Sequence, residues 1–217
     1  MFPDWKHGDV MLYCMDCMDV LPNLPDDLVV ITDVPYGIGE NNQHNLSRGK
    51  LAVCTDYGDY DWDYQRLPEE NIKALLRFQN QVIFGGHYYT DILPVSTGWI
   101  VWDKVNGNND FADCELAWTS YSRAVRKIEW MWNGMLRRDR EKRFHPTQKP
   151  MGVMRWIVEN YSEPGDFILD PYMGAGTTGV AAVQMGRGFI GVDINRQYYD
   201  IAVTRIKEAQ MQLSFDL

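Results

Sequence analysis

Residues 166–178 read Asp166-Phe167-Ile168-Leu169-Asp170-Pro171-Tyr172-Met173-Gly174-Ala175-Gly176-Thr177-Thr178. The apolar run between the two acidic residues has the length of a short buried strand. Gly174 and Gly176 then permit a tight turn, and the small apolar residues of 180–185 continue as a helix. A further apolar run, Gly188-Phe189-Ile190-Gly191-Val192, supplies a second strand. Strand, turn, helix and strand make a crossover unit whose two strands run parallel.

The same alternation fills the rest of the chain. Strands are expected at 10–14, 28–32, 81–84, 99–102, 114–118 and 126–132, and helices at 16–21, 69–78, 146–161 and 197–211. This order predicts an α/β fold with a doubly wound, mostly parallel, Rossmann-like sheet. There is no internal repeat or low-complexity linker, and 217 residues suffice to bury a core, so residues 1–217 are expected to form one domain. Residues 37–64 are polar, Gly-rich and dotted with aromatics, as in a long mobile loop that carries function.

The formal charge of −9 argues against a chain that coats nucleic acid generally. Its distribution is uneven. Residues 121–150 carry nine Arg and Lys against three Asp and Glu, about +6 locally, which leaves about −15 elsewhere. Such a segment can bring one face to a polyanion. Cys14 and Cys17 have the spacing of half a zinc site, but no second Cys or His pair stands at ligand spacing, so no metal site is expected. The N-terminus lacks the features of a signal peptide and no apolar run is long enough to span a bilayer, so a soluble cytoplasmic protein with no membrane partner is expected.

Two stretches carry chemistry. Asp33-Val34-Pro35-Tyr36 follows the buried strand at 28–32 and so falls at a strand's carboxyl end, where open α/β sheets bind ligands. A carboxylate acceptor, a stiff backbone and an aromatic face together suit a flat base with an exocyclic amine. A plain strand exit capped by Tyr36 is the alternative. In the glycine turn, close backbone approach and a helix N-terminus favour a carboxylate or phosphate, and Asp193, after the following strand, can accept hydrogen bonds from ribose hydroxyls. Gly174, Gly176 and Gly179 have dinucleotide-site spacing, but Pro171 and the two threonines replace the usual apolar entry. A nucleoside with an amino-acid tail suits the turn better than a pyrophosphate, while a dinucleotide or a purely structural turn stay as alternatives.

Together with Phe144-His145-Pro146-Thr147-Gln148-Lys149-Pro150, these stretches resemble the β-class S-adenosylmethionine-dependent DNA amino-methyltransferases, and in particular compact adenine-N6 methylases of phage and prophage type. The order, with Asp33-Val34-Pro35-Tyr36 first and the glycine turn near the C-terminus, is that of the class. The resemblance implies that Asp33 and the Val34 carbonyl accept the two protons of the target amine, with Pro35 stiffening the turn and Tyr36 stacking on a flipped base. It also implies a cofactor set of Asp16, Cys17, His145, Thr147, Lys149, Asp170, Tyr172, Gly174, Gly176, Thr177 and Asp193. For Asp16, a simple helix cap is the alternative reading.

Double-stranded DNA is the implied partner, contacted by Arg137, Arg138, Arg140, Lys142 and Arg143 within a basic insert at about 104–145, and a homodimer is possible. Cytosine-N4 methylation uses the same geometry and is the nearest rival. A catalytically weak binding subunit is another, because Val34 stands where the family usually has proline. Cytosine-C5 chemistry needs a thiolate nucleophile, and no Cys adjoins Asp33.

Overall fold

Among the described residues, nine strands form one sheet: β1 (Trp5–His7), β2 (Val10–Tyr13), β3 (Val29–Asp33), β4 (Asn80–Phe84), β5 (Trp99–Asp103), β6 (Cys114–Thr119), β7 (Arg126–Glu129), β8 (Phe167–Asp170) and β9 (Gly188–Val192). Their order is β1-β2-β9-β8-β3-β4-β6-β5-β7. The computed structural model describes residues 2–38, 65–106, 112–132, 138, 142–145 and 147–215. The loop expected at 37–64 therefore lies mostly outside the described residues, as do Arg137, Arg140 and Pro146.

From β2 through β9, β8 and β3 to β4 every pairing is parallel. The hairpin of β5 and β6 extends this core, with β6 antiparallel to β4, and β7 pairs parallel to β5. The short edge strand β1, antiparallel to β2, was not expected. Three residues are too few to show a period.

Alternate residues of the central strands face opposite ways, and both sides are buried, which explains their continuous apolar runs. Val29, Ile31, Val82, Phe84, Ile168 and Phe189 pack on one side with α3 (Met151–Tyr161), α4 (Thr177–Gln184) and α5 (Arg196–Phe215). Val30, Ile83, Leu169, Ile190 and Val192 pack on the other with α1 (Cys17–Val20) and α2 (Glu69–Leu75). This is the doubly wound sheet expected.

The helix expected at 146–161 begins only at Met151. Lys149 precedes a proline, which disfavours helical backbone at that position, and Pro150 itself is extended. The approach to α3 is thus an open segment.

The chain leaves β3 towards β4 on one side and β8 towards β9 on the other, so the adjacent strands β3 and β8 mark the topological switch point. The buried carboxylate of Asp170 holds this seam. It accepts from Thr32 Oγ1 at 2.7 Å, from Thr178 Oγ1 at 2.6 Å and from the Tyr172 amide at 3.2 Å, tying β3, β8 and the start of α4 together.

Gly176 caps α4 in the left-handed region, with φ +74°, and a Cβ there would meet Ala202 of α5 at 2.8 Å. Gly176→Ala should therefore destabilise the fold by about 1–3 kcal/mol, from left-handed strain and overpacking. Urea denaturation would measure the loss.

Candidate active site

The carboxyl ends of β2, β3, β8 and β9 open onto one cavity of about 750 Å³. Asp16 lies at its β2 end, Asp33 and Tyr36 at its β3 end, and the glycine turn and Asp193 at its β8 and β9 ends. The fold thus brings the two stretches singled out in the sequence to one wall-to-wall space.

At the β3 end, Asp33 is engaged on both oxygens. Tyr36 donates its hydroxyl to Oδ1 at 2.6 Å, and Lys149 reaches Oδ2 at 2.5 Å. The Lys149 ammonium also lies 3.1 Å from Glu115 Oε2 and 3.3 Å from the Tyr36 hydroxyl. Glu115 in turn pairs through Oε1 with Lys104 at 2.7 Å. The charges alternate along this row: Lys104, Glu115, Lys149, Asp33.

Burial holds the Asp33 carboxyl above the usual carboxylate range, although Lys149 pulls it down. Burial would also raise Glu115, but Lys149 and Lys104 outweigh it and hold that carboxyl low. For Lys149, burial favours the neutral amine, and Asp33 and Glu115 overcome it and keep the ammonium.

The motif loop is fixed from behind. Tyr89, fully buried, donates to the Pro35 carbonyl and accepts from the Leu67 amide at 2.8 Å. The Tyr36 ring stacks on Tyr88 with centroids 5.0 Å apart, and it occupies the space where a Cβ of Gly85 would sit. Val34 is buried.

At the other end, Asp193 accepts from the amides of Gly174 at 2.8 Å and Asn195 at 2.7 Å. Burial nonetheless pushes its carboxyl up to about 7. Arg205 of α5 braces the turn from outside, donating to the Ala175 carbonyl and, at 3.1 Å, to Thr177 Oγ1. His145 lies beside Gly174, packs edge-on against Tyr198 at 4.2 Å, and meets Thr147 Oγ1 through Nδ1 at 3.1 Å. Burial, with the nearby Lys149 and Arg143 charges, drops its pKa to about 3, so the ring is neutral.

Asp16 caps α1 through the Met18 amide at 2.9 Å, and the Cys17 thiol, raised to about 11 by burial, contacts the Tyr172 hydroxyl at 3.4 Å. Asn71 of α2 donates to the same hydroxyl at 3.1 Å.

Two of the residues expected in the cofactor set line the cavity and also make contacts of their own. Lys149, expected in the cofactor set, has its ammonium at Asp33. Asp170, expected to bind cofactor, lines the cavity but has both oxygens engaged in the β3–β8 seam. Of the basic segment, Arg138 and Lys142 are exposed, Arg138 stacking over Trp130 at 4.2 Å and Lys142 over Phe144 at 4.8 Å. Arg143 lines the cavity and donates to the His145 carbonyl at 3.2 Å.

Residues 102–204 match the family described as DNA methylase. Among solved structures, the cytosine-N4-specific PvuII DNA methyltransferase superposes with a TM-score of 0.61 at 13% identity, over 98% of this chain and 95% of that one. The M1.HpyAVI–SAM complex gives 0.56 at 23% identity, over 90% and 99%. The chain shares the fold of these two structures. The type II methyltransferase M2.DpnII of Streptococcus pneumoniae is 42% identical over 84 residues, 38% of this chain and 31% of that protein. M2.LlaDCHI of Lactococcus lactis subsp. cremoris is 40% identical over 85 residues, 38% and 32%. The matched stretch thus spans about a third of these curated relatives. The DNA methylase match takes in Glu115, Lys149, the glycine turn and Asp193, whereas Asp33 lies outside it.

Sequence reasoning missed Lys104, Glu115, Tyr88, Tyr89 and Arg205. For Glu115 a signal existed, since an acidic residue inside the apolar run 114–118 is out of pattern. The others stand at unremarkable positions. Among the described residues, no group of three or more His, Cys, Asp or Glu could hold a metal ion, and no helix is long and apolar enough to cross a membrane.

Because burial raises Asp193 in the folded state, its neutral form stabilises the ligand-free fold at low pH. That contribution is lost progressively as pH rises from the ordinary carboxylate range to about 7. The melting temperature of Asp193→Asn, taken relative to the wild type, should therefore climb as pH passes through this range. A second expectation concerns Gly85, whose φ is +72° and whose absent side chain leaves room for Tyr36. Gly85→Ala should displace that ring and reduce any activity that depends on it about a hundredfold, the scale of a misplacement near 1 Å. Turnover assays would read this.

Proposed function

We propose that this protein transfers a methyl group from S-adenosylmethionine to the exocyclic N6 amine of adenine in double-stranded DNA. The observation that carries the reading is the pairing, in one cavity, of the Asp33-Val34-Pro35-Tyr36 stretch with the glycine turn and Asp193. The matches to DNA methylases support it.

The residues present fit the cofactor. The cavity is of a size suited to a nucleoside with an amino-acid tail. Asp193, already held by two backbone amides, would accept from the ribose hydroxyls. Gly174 and Gly176 would let the backbone approach the methionine portion, with His145, Thr147, Tyr172 and Thr177 around it, and Asp16 and Cys17 would lie at the adenine end. When bound, the cofactor supplies an electrophilic methyl group on sulfur.

The chain's own residues then act on the amine. Asp33 and the Val34 carbonyl would accept its two protons and draw the nitrogen towards tetrahedral geometry. This frees a lone pair otherwise delocalised into the ring and stabilises the positive charge that develops on nitrogen. Asp33 would receive the proton that the methylated amine releases. Tyr36 would pack on the base, which must leave the duplex to reach this depth. Holding the nitrogen in line contributes much of the rate. Arg138, Lys142 and Arg143, with Arg137 and Arg140, would meet DNA phosphates.

Asp33 rather than Ser at the first motif position favours adenine over cytosine. Mass analysis of nucleosides from treated DNA should give N6-methyladenine, and methylcytosine as sole product would overturn the assignment. Asp33→Ala should abolish transfer with cofactor affinity retained. Loss of both would make Asp33 a structural residue.

A further inference from the structure

The Lys149 ammonium donates to Asp33 Oδ2 at 2.5 Å and to the Tyr36 hydroxyl at 3.3 Å, and it lies 3.1 Å from Glu115 Oε2 as an ion pair. It is 6% exposed, and the rings of Phe84 and Tyr36 flank it at 5.0 and 5.6 Å. A lysine on a four-carbon stem is a poor orienting group unless its ammonium is fixed. Glu115 pairs with it here. That residue stands on β6, the antiparallel extension, and its other oxygen is tied to Lys104. Towards Lys149 its Oε2 makes an ion pair without hydrogen-bond alignment. The shorter, aligned contact is the one to Asp33.

We propose that Lys149 and Glu115 are positioning residues for Asp33: Glu115 anchors the Lys149 ammonium, and Lys149 orients the Asp33 carboxylate and keeps it ionised to receive the amine. The inference rests on the reading of Asp33 as the amine's acceptor. It assigns to Lys149 a task at the reacting end of the cavity, separate from cofactor binding, and gives Glu115 and Lys104 a role that no local motif suggests.

The electrostatics have a definite sign. Asp33 is faced by Tyr36 from its own loop, by Lys149 from the segment before α3, by Glu115 from β6 and by Asp170 from β8, with Lys104 behind Glu115. Removing Lys149 leaves Asp33 and Glu115 with Lys104 as the remaining cation of the row, so Asp33 becomes harder to ionise. Removing the Glu115 charge leaves Lys149 to Asp33, which then ionises more readily. The two changes must shift the titration of Asp33 in opposite directions. A residue that merely fills space would shift neither.

The test is the pH profile of kcat on DNA for the wild type, Lys149→Met, Lys149→Arg, Glu115→Gln and the double variant Lys149→Met/Glu115→Gln. Melting temperature and S-adenosylmethionine affinity serve as controls for folding. The acid limb should move to higher pH in Lys149→Met, to lower pH in Glu115→Gln, and back towards the wild-type position in the double variant. Plateau kcat should fall about tenfold or more in Lys149→Met, with Lys149→Arg recovering part of it and cofactor affinity unchanged in each.

Limbs that do not move, or that move the same way in both single variants, would overturn the proposal. So would a loss of cofactor affinity that accounts for the lost turnover. Should Lys149→Met not fold, the direction of the shift in Glu115→Gln decides. Failure of the underlying reading looks different: the wild type transfers no methyl group to DNA, or Asp33→Ala remains active.

Discussion

The buried carboxylate of Asp170 is the contact on which the rest of the site depends. β3 and β8 are neighbours at the point where the chain turns away in opposite directions, and only two residue pairs bridge them in the ladder. Side chains complete the join. Thr32, one residue before Asp33, and Thr178, in the first turn of α4, both donate to this one carboxylate. Burial raises its pKa to about 6 while the hydroxyls and the Tyr172 amide work to lower it. The acceptor that we assign to the amine and the turn that we assign to the cofactor are thereby referenced to one buried point. The methyl transfer that we propose would need in-line approach, so this common reference would bear directly on its rate.

A second constraint comes from the antiparallel end of the sheet. Insertion of β6 between β4 and β5 brings Glu115 into the lining of the same cavity as Asp33. The proline after Lys149 keeps the approach to α3 extended, so that the lysine can reach between the two carboxylates. Four charges from four segments alternate in sign, which allows a largely buried row without an uncompensated charge. The same arrangement makes Asp33 sensitive to each of its neighbours.

Val34, which stands where the DNA amino-methyltransferases that this motif resembles usually have proline, is compatible with this architecture. It is buried, and Pro35 after it is held by the Tyr89 hydroxyl. Rigidity that a second proline would give through its ring is supplied here by a tyrosine from the turn after β4.

By itself the sequence determined the α/β class, most strand positions, and the stretches at Asp33 and at the glycine turn. These are local properties: apolar runs of strand length, glycines that permit left-handed backbone, and short motifs whose residues are adjacent in the chain. Tertiary structure alone decided what Lys149 and Asp170 touch. Lys149 lies 116 residues from Asp33, and Asp170 lies 138 from Thr32. Neither separation leaves a trace in sequence spacing. Glu115 was half legible, since an acid inside an apolar strand asks for a partner, but which partner depends on strand order. The order of β4, β6 and β5 follows from packing across the whole sheet, and a local pattern carries no information about which strands become neighbours.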